Sequence, residues 1–467
     1  MVPLSCNDCP PSTQQRPNII WIFGDQHRGC AAGFAGDPNV HTPNLDRFAT
    51  EGTVFRNAVA GSPLCCPFRG SLLTSRYPHQ CVPGHQHALP QGMPTVATAF
   101  NAAGYETAWF GKWHLDGHHE AEGRAAFHTV APDRRGDFKQ WIGYENNLTT
   151  FDCWIHGHDR HGNEVAHSRL EGYETDALTD HFIDYLKDSV ESQAHPGSEN
   201  VQTPFFAALS VIPPHNPFVA PAEWMQRHTP GNIQLRANVP PYEKIRQQAQ
   251  RELAGYYAMV ENLDFNFGRI RTALEELQIA NNTIIFFFSD HGDMLGSHGQ
   301  FRKTSVYQES LNIPCIVGGG IPFYEGTHGW VKPQVLNHPF NHVDFATTSL
   351  GLCGVDIPEY MSGFNYAPQI SWKFNPTTPP PDSAFLQYCE PSLFGRCMDR
   401  PWRGILTDDG WKLACFENQP WVLFDLNDDP YEFINLAFYK LGQKRLAGLK
   451  DRLQHWIELT NDSFKLN

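Results

Sequence analysis

Short stretches of unbroken apolar, β-branched and aromatic side chains constrain this chain more than any other feature. Residues 17–24 carry Ile19, Ile20, Trp21, Ile22 and Phe23 in succession, without the polar alternation of a half-buried strand. Such a run describes a parallel strand covered on both faces. Similar runs recur at 107–110, 205–212 and 283–289, and helical patterns lie between them, notably at 176–186 and 252–277. This alternation predicts an α/β sheet. Each run is followed at its carboxyl end by polar residues: Asp25-Gln26, Gly111-Lys112-Trp113-His114, Pro214-His215-Asn216 and Asp290-His291-Gly292-Asp293. Open α/β sheets bind their ligands at that edge.

Thr42-Pro43 reads as an N-cap followed by a first-turn proline, with Gly52 as the helix stop. Beyond about residue 380 the pattern changes to short strands at 384–388, 403–407, 411–416 and 421–425, with Asp409-Gly410 as a hairpin turn and a final amphipathic helix over 444–459. The proline-rich stretch 377–381 is the predicted linker. The organisation expected is a flexible tail over 1–16, a principal α/β domain over 17–376, and a smaller C-terminal subdomain over 382–467 built of antiparallel strands and a terminal helix.

At 467 residues, 41% hydrophobic and 18% charged, the chain can bury a large core. Its 35 Lys and Arg against 50 Asp and Glu give a net charge of −15, with no basic block. Nucleic acid and anionic membranes are therefore excluded as expected partners, and no apolar run is long enough to span a bilayer. Residues 1–16 lack the apolar core of a secretory signal, so a cytoplasmic location is expected. Twelve cysteines at wide, irregular gaps predict reduced, mostly buried thiols. Cys6-x-x-Cys9, with no second Cys/His pair at suitable spacing, reads as part of an inert tail. An acidic chain that binds an anion must gather its cations locally.

The most informative segment runs Pro63-Leu64-Cys65-Cys66-Pro67-Phe68-Arg69-Gly70-Ser71-Leu72-Leu73-Thr74-Ser75-Arg76-Tyr77-Pro78-His79, where Cys-x-Pro-x-Arg is expected to open a helix. Only Cys65 has Pro two residues on and Arg four residues on; Cys66 is its bland neighbour. The segment resembles the type I, formylglycine-dependent sulfatases of the alkaline phosphatase superfamily. Further elements similar to that family span most of the chain: Arg16-Pro17-Asn18-Ile19-Ile20, Gly111-Lys112-Trp113-His114, Pro214-His215-Asn216-Pro217-Phe218, the stretch from Ser289-Asp290-His291-Gly292-Asp293 to Lys303, and Leu423-Phe424-Asp425-Leu426-Asn427-Asp428-Asp429-Pro430. The sequence departs from the common pattern at Phe68, where a small residue is usual, and at Gln26, where many sulfatases have a second Asp.

The resemblance implies an alkaline-phosphatase-like fold, with a central mixed, mostly parallel sheet flanked by helices and a smaller C-terminal α+β subdomain on a short antiparallel sheet. It also implies that Cys65 is oxidised to formylglycine by a formylglycine-generating enzyme. Asp25, Gln26, Asp290 and His291 would bind one divalent metal, completed by an oxygen of residue 65. Carboxylate and amide oxygens suit a hard cation, and the single amide and the imidazole make Mn²⁺ a rival to Ca²⁺, with Mg²⁺ behind both. Arg69, Lys112 and Lys303 would hold the sulfate, His114 would act as the base that releases it, and His215 or Lys303 would protonate the leaving oxygen. Taken singly, such a Lys or Arg reads as a solvated charge and such a His as a core or loop residue.

The implied activity is hydrolysis of a small-molecule sulfate monoester, by a chain that can form a homo-oligomer. The alternatives are a phosphonate monoester or phosphodiester hydrolase of the same superfamily, an enzyme doing both, and a catalytically silent binder of sulfated ligands. His118, His119, His156, His158 and His161 form a zone without readable ligand spacing and are expected to be a solvated loop.

Overall fold

The computed structural model describes residues 16–85, 87–119, 122–191, 203–320, 330–392 and 398–466. Its first twelve strands, in chain order, are β1 (Asn18–Gly24), β2 (Thr53–Phe55), β3 (Ala58–Val59), β4 (Glu106–Lys112), β5 (Gln140–Tyr144), β6 (Trp154–His158), β7 (Glu164–Arg169), β8 (Phe205–Ser210), β9 (Thr283–Ser289), β10 (Cys315–Gly319), β11 (Gln334–Leu336) and β12 (Phe340–Asn341). β3 pairs with β12; the other ten form one sheet in the order β11-β2-β10-β9-β1-β8-β4-β5-β6-β7. The central five strands, β9 to β5, run parallel, whereas β10, β6 and β7 are joined antiparallel.

The unbroken apolar runs are buried on both faces, as their composition requires. Ile19, Trp21 and Phe23 of β1 share a core with Ile284, Phe286 and Phe288 of β9, and with Phe68, Leu72 and Phe345 from the helices Cys65–Thr74 and Asp344–Leu352. The alternate residues Ile20, Ile22, Ile285 and Phe287 pack on the other face against Phe182, Leu186, Leu263 and Phe267 of the helices Glu174–Glu191 and Glu243–Glu276. Each such side chain contributes about 1.5–3 kcal/mol by burial. Phe68, the departure from the common motif, is thus a core residue, with its ring 5.5 Å from that of His342.

A second sheet comprises β13 (Ser383–Tyr388), β14 (Trp402–Thr407), β15 (Trp411–Phe416) and β16 (Gln419–Asp425), all antiparallel. One face packs on Val59, Leu64, Val306 and Leu311 of the main domain. The other packs on the helix Lys440–Leu459 through Leu446, Leu449, Leu453 and Ile457. The Asp409-Gly410 turn forms as expected, with Gly410 at a positive φ of 86° and its N–H donating to Thr407 O at 3.1 Å.

Several expectations need correction. The long helix begins at Glu243, nine residues before the expected 252; its first turns pack through Ile245 and Ala249, one turn apart, but the charged and amide residues around them dilute the stripe. Thr42 stands at the N-cap with Pro43 in the first turn, as expected, but its Oγ1 makes no capping bond; it accepts from Gly33 N–H at 2.8 Å and donates to Asp46. His156 and His158 lie on β6 and not in a loop, and His156 is buried, with Nε2 accepting from Val130 N–H at 2.8 Å. Arg16 Nη1 donates to Ala103 O at 2.7 Å. Residues 1–15, with Cys6 and Cys9, lie outside the described residues. Among the described cysteines none is in a disulfide, and no helix there is long and apolar enough to cross a membrane.

Candidate active site

The carboxyl ends of β1, β4 and β9 deliver Asp25, Lys112 and Asp290 to one edge of the sheet, and the helix Cys65–Thr74 begins there with Cys65. No side chain caps that helix, which leaves its N-terminal end a favourable place for an anion. Asp25, Asp290, His291 and Cys65 are buried, and one ligand atom from each lies within 4.8 Å of the others.

The group at residue 65 sits among polar atoms. Cys65 Sγ is 3.0 Å from Lys303 Nζ, 3.3 Å from His291 Nε2 and 3.7 Å from Asp25 Oδ1. Burial and the Asp25 carboxylate push its thiol up, but Lys303, Lys112 and His291 outweigh them and leave it below the ordinary thiol value. Burial would likewise raise Asp25, yet Lys112, His215, Lys303 and His291 hold it well below the usual carboxylate range.

Three cations converge on two carboxylates, leaving a local balance of 3 − 2 = +1 from the groups Arg69, Lys112, Lys303, Asp25 and Asp290. Lys112 Nζ donates to Asp25 Oδ2 at 2.6 Å. Arg69 lies 3.3 Å from Asp290 and 3.5 Å from Asp25, while its Nη1 donates to Lys112 O and Ser210 Oγ at 2.9 and 2.8 Å. The guanidinium is thereby fixed beneath the site.

Gln26 is oriented by its surroundings. Its backbone N–H donates to Asp290 Oδ1 at 3.0 Å, and Nε2 donates to Asp293 Oδ2 at 2.6 Å and Asn216 Oδ1 at 3.3 Å. Because both partners accept, the amide nitrogen is assigned to that side, and Oε1 remains buried without a partner among the described residues. A buried, unsatisfied oxygen beside two carboxylates and an imidazole is a donor set suited to a cation. His291 supports that reading: burial disfavours its charged form, yet Asp290 keeps its pKa above the ordinary value, so a proton occupies a place that favours positive charge.

His114, Lys303 and His215 flank this centre. His114 has a positive φ of 57° and is buried; burial first, then Lys112, holds its imidazole neutral. The turn that follows is held by Glu145, whose carboxylate accepts from the N–H groups of Leu115, Asp116 and Gly117 at 3.0–3.1 Å. Lys303 lies between Arg302 and Thr304, at φ of 75° and 68°, and Gln26 is at 73°. Such conformations cost of order 1–3 kcal/mol each and persist where surrounding contacts enforce them. Thr304 is braced by the C-terminal sheet: its Oγ1 donates to Met398 O at 2.8 Å and its carbonyl accepts from Trp402 Nε1 at 3.3 Å.

Lys303 Nζ is 3.2 Å from His215 Nε2, and His215 Nδ1 is 2.6 Å from Asn216 O. The carbonyl can only accept, so Nδ1 carries the proton and Nε2 accepts from Lys303. Burial and then Lys303 hold His215 well below the ordinary imidazole value, whereas Cys65, Asp25 and Asp290 overcome burial and raise Lys303. Every sequence-predicted site residue lies in this cluster or against it. The supporting residues Asp293, Asn216, Ser210 and Glu145 were not singled out. Asp293 and Asn216 stand in quoted motifs, but neither Ser210 nor Glu145 has a local signal.

The chain matches the profile of the Sulfatase family over residues 17–355 and that of the N-sulphoglucosamine sulphohydrolase C-terminal region over 296–459. It is 33% identical to an ulvan-active sulfatase of Formosa agariphila, over 96% of this chain and 83% of the relative. A solved Bacteroides thetaiotaomicron structure, described with the metabolism of multiple glycosaminoglycans, is 27% identical with a TM-score of 0.78, covering 96% of this chain and 97% of that one. A phosphonate monoester hydrolase of Agrobacterium radiobacter, 20% identical with a TM-score of 0.71, covers 95% of this chain and 96% of its own and shares the fold.

Proposed function

The chain belongs to the sulfatase family and is a sulfuric ester hydrolase, and from that premise we propose that it works through a formylglycine made from Cys65 and one divalent cation. The observation that carries this reading is the polar surround of Cys65 Sγ, with Lys303, His291 and Asp25 at 3.0, 3.3 and 3.7 Å. An oxygen-bearing group fits that position better than an apolar side chain does. As a hydrated aldehyde, residue 65 would supply one hydroxyl to attack sulfur and a second whose deprotonation expels sulfate.

Asp25, Gln26 through Oε1, Asp290 and His291 would hold the cation, with an oxygen of residue 65. Two carboxylates, an amide oxygen and an imidazole favour Ca²⁺ or Mn²⁺ over Mg²⁺, which prefers to retain its waters. The cation would supply Lewis acidity and charge neutralisation at the nucleophile. Arg69 and Lys112 position Asp25 and Asp290 and add positive charge beneath the sulfate, and Lys303 adds it beside residue 65. His114, neutral in the free site, accepts the proton from the second hydroxyl. The proton for the leaving oxygen resides on Lys303, with His215 orienting the ammonium.

The alcohol portion is proposed to be a sulfated carbohydrate, from the names of the ulvan-active and glycosaminoglycan-related relatives. Maturation requires a formylglycine-generating enzyme. Mass measurement of the peptide spanning Cys65, paired with turnover of an aryl sulfate, a phosphodiester and a phosphonate monoester on one preparation, tests the reading. Unmodified Cys65 in fully active protein would refute it, and preferred turnover of the phosphorus esters would transfer the site to the alternative activity.

A further inference from the structure

Cys65 is followed by a second cysteine, and the helix turns the two side chains to different surroundings. Cys66 points to His85, with Sγ 3.9 Å from Nδ1. The His85 and His114 rings meet edge to face at a centroid distance of 5.3 Å. The Cys66 sulfur and one nitrogen from each histidine lie within 4.8 Å of one another. His114 is only 2% exposed, and its Nδ1 has no hydrogen-bond partner among the described residues.

We propose that Cys66, His85 and His114 form a second metal site, selective for a soft or borderline cation such as Zn²⁺, whose occupation withdraws His114 from the reaction. Zinc bonds of about 2.3 Å to sulfur and about 2.0–2.1 Å to nitrogen, set tetrahedrally, place sulfur and nitrogen about 3.6 Å apart. The 3.9 Å observed needs closure by only a few tenths of an ångström. The thiolate and two imidazoles differ in kind from the oxygen-rich set of Asp25, Gln26 and Asp290, and ligand softness separates the cations each prefers. Binding displaces the Cys66 thiol proton to solvent, leaving a fourth position for water. A ligated His114 has donated the lone pair with which it would accept a proton, so the filled site is inhibitory. His85 is half-buried, less enclosed than Cys66 and His114.

The site is tested on calcium-loaded enzyme, with activity normalised to the aldehyde content at residue 65. Zn²⁺ should inhibit reversibly and bind as one added equivalent. Co²⁺ should give a thiolate charge-transfer absorption, which should also form in a Cys65→Ala background, where residue 65 has no sulfur. In His85→Ala and Cys66→Ser, zinc affinity should fall at least about 10- to 100-fold, a loss that outer-shell changes alone can produce, and the cobalt band should vanish in Cys66→Ser. Absence of the band in the Cys65→Ala background, or its persistence in Cys66→Ser, would overturn the site. Added zinc with undiminished turnover would overturn its inhibitory role. Since the absorption readout needs neither aldehyde nor turnover, failure here is distinct from failure of the formylglycine reading.

Discussion

Replacement of Lys303 separates the two groups that can serve the leaving oxygen. In the free site the bond runs from Lys303 Nζ to His215 Nε2 at 3.2 Å, with the other imidazole nitrogen bound to Asn216 O. His215 therefore has no proton to give from Nε2, while Lys303 has a raised pKa and remains charged through the ordinary pH range. General acid catalysis is worth about 10²–10⁴-fold, equivalent to about 2.7–5.4 kcal/mol. Lys303→Ala should lower kcat/KM for alkyl and sugar sulfates by about that factor, and much less for acidic nitrophenyl sulfates, which leave without a proton. His215→Ala removes the acceptor that orients the ammonium, a bond to a charged group worth about 1.5–3 kcal/mol, so its loss should be about 10- to 100-fold.

The assay is the mutant-to-wild-type ratio of kcat/KM across phenyl sulfates of graded leaving-group acidity, each measured against pH. Since kcat/KM reports the free enzyme, an acid at Lys303 gives no decline between pH 6 and 9 for unactivated substrates. An acid at His215, whose pKa lies well below 6.5, would instead give activity that falls as pH rises through that depressed value. A ratio independent of leaving group in Lys303→Ala, with a steep one in His215→Ala, would refute the assignment and return the proton to His215.

Chelation should abolish turnover, and rebinding of Ca²⁺ or Mn²⁺ should release about one proton below the raised pKa of His291, because the metal requires its neutral form; metal-free protein with full activity, checked by elemental analysis, would contradict the cation site. His342 is buried, with both ring nitrogens unpartnered among the described residues and its pKa lowered by burial to about 3. The unfolded chain thus takes up its proton first as pH falls below about 6.5, and stability should drop by up to about 1.4 kcal/mol per pH unit from this site; urea midpoints against pH should show a shallower acid limb in His342→Leu. Asp462 pairs with the buried Arg403 through Oδ2 at 2.5 Å and Oδ1 at 3.1 Å. Asp462→Ala strands that charge and should cost about 3–5 kcal/mol in denaturant unfolding, whereas an unchanged midpoint would show that water reaches the guanidinium.

Legibility in the sequence follows the range of the interactions involved. β1 and β9 are readable because two runs of five apolar residues, Ile19 to Phe23 and Ile284 to Phe288, must be covered on both faces whatever covers them. Their carboxyl ends consequently place Asp25 and Asp290 at one edge of the sheet, and the Cys65 motif is contiguous. β10 and β2 are short and join the sheet antiparallel through pairs such as Ile316 with Val54, a match that neither segment encodes alone. The first turns of the helix Glu243–Glu276 are missed because their apolar stripe is thin, with Ile245 and Ala249 set among charged and amide residues.

Within the site, the same distinction separates residue identity from residue state. Gln26 is nominated as a ligand by the resemblance to the sulfatase motifs, but the direction of its amide depends on Asp293, 267 positions away, and on Asn216, 190 away. Lys303 is recognisable by motif, yet its charge and its bond to His215 arise only when 88 residues of chain bring them together. The order of protonation between those two groups is what selects the proton donor. A short motif can therefore nominate both residues but cannot divide the chemistry between them, because the deciding quantities are burial and the field of Asp25, Asp290 and residue 65, all properties of the assembled edge.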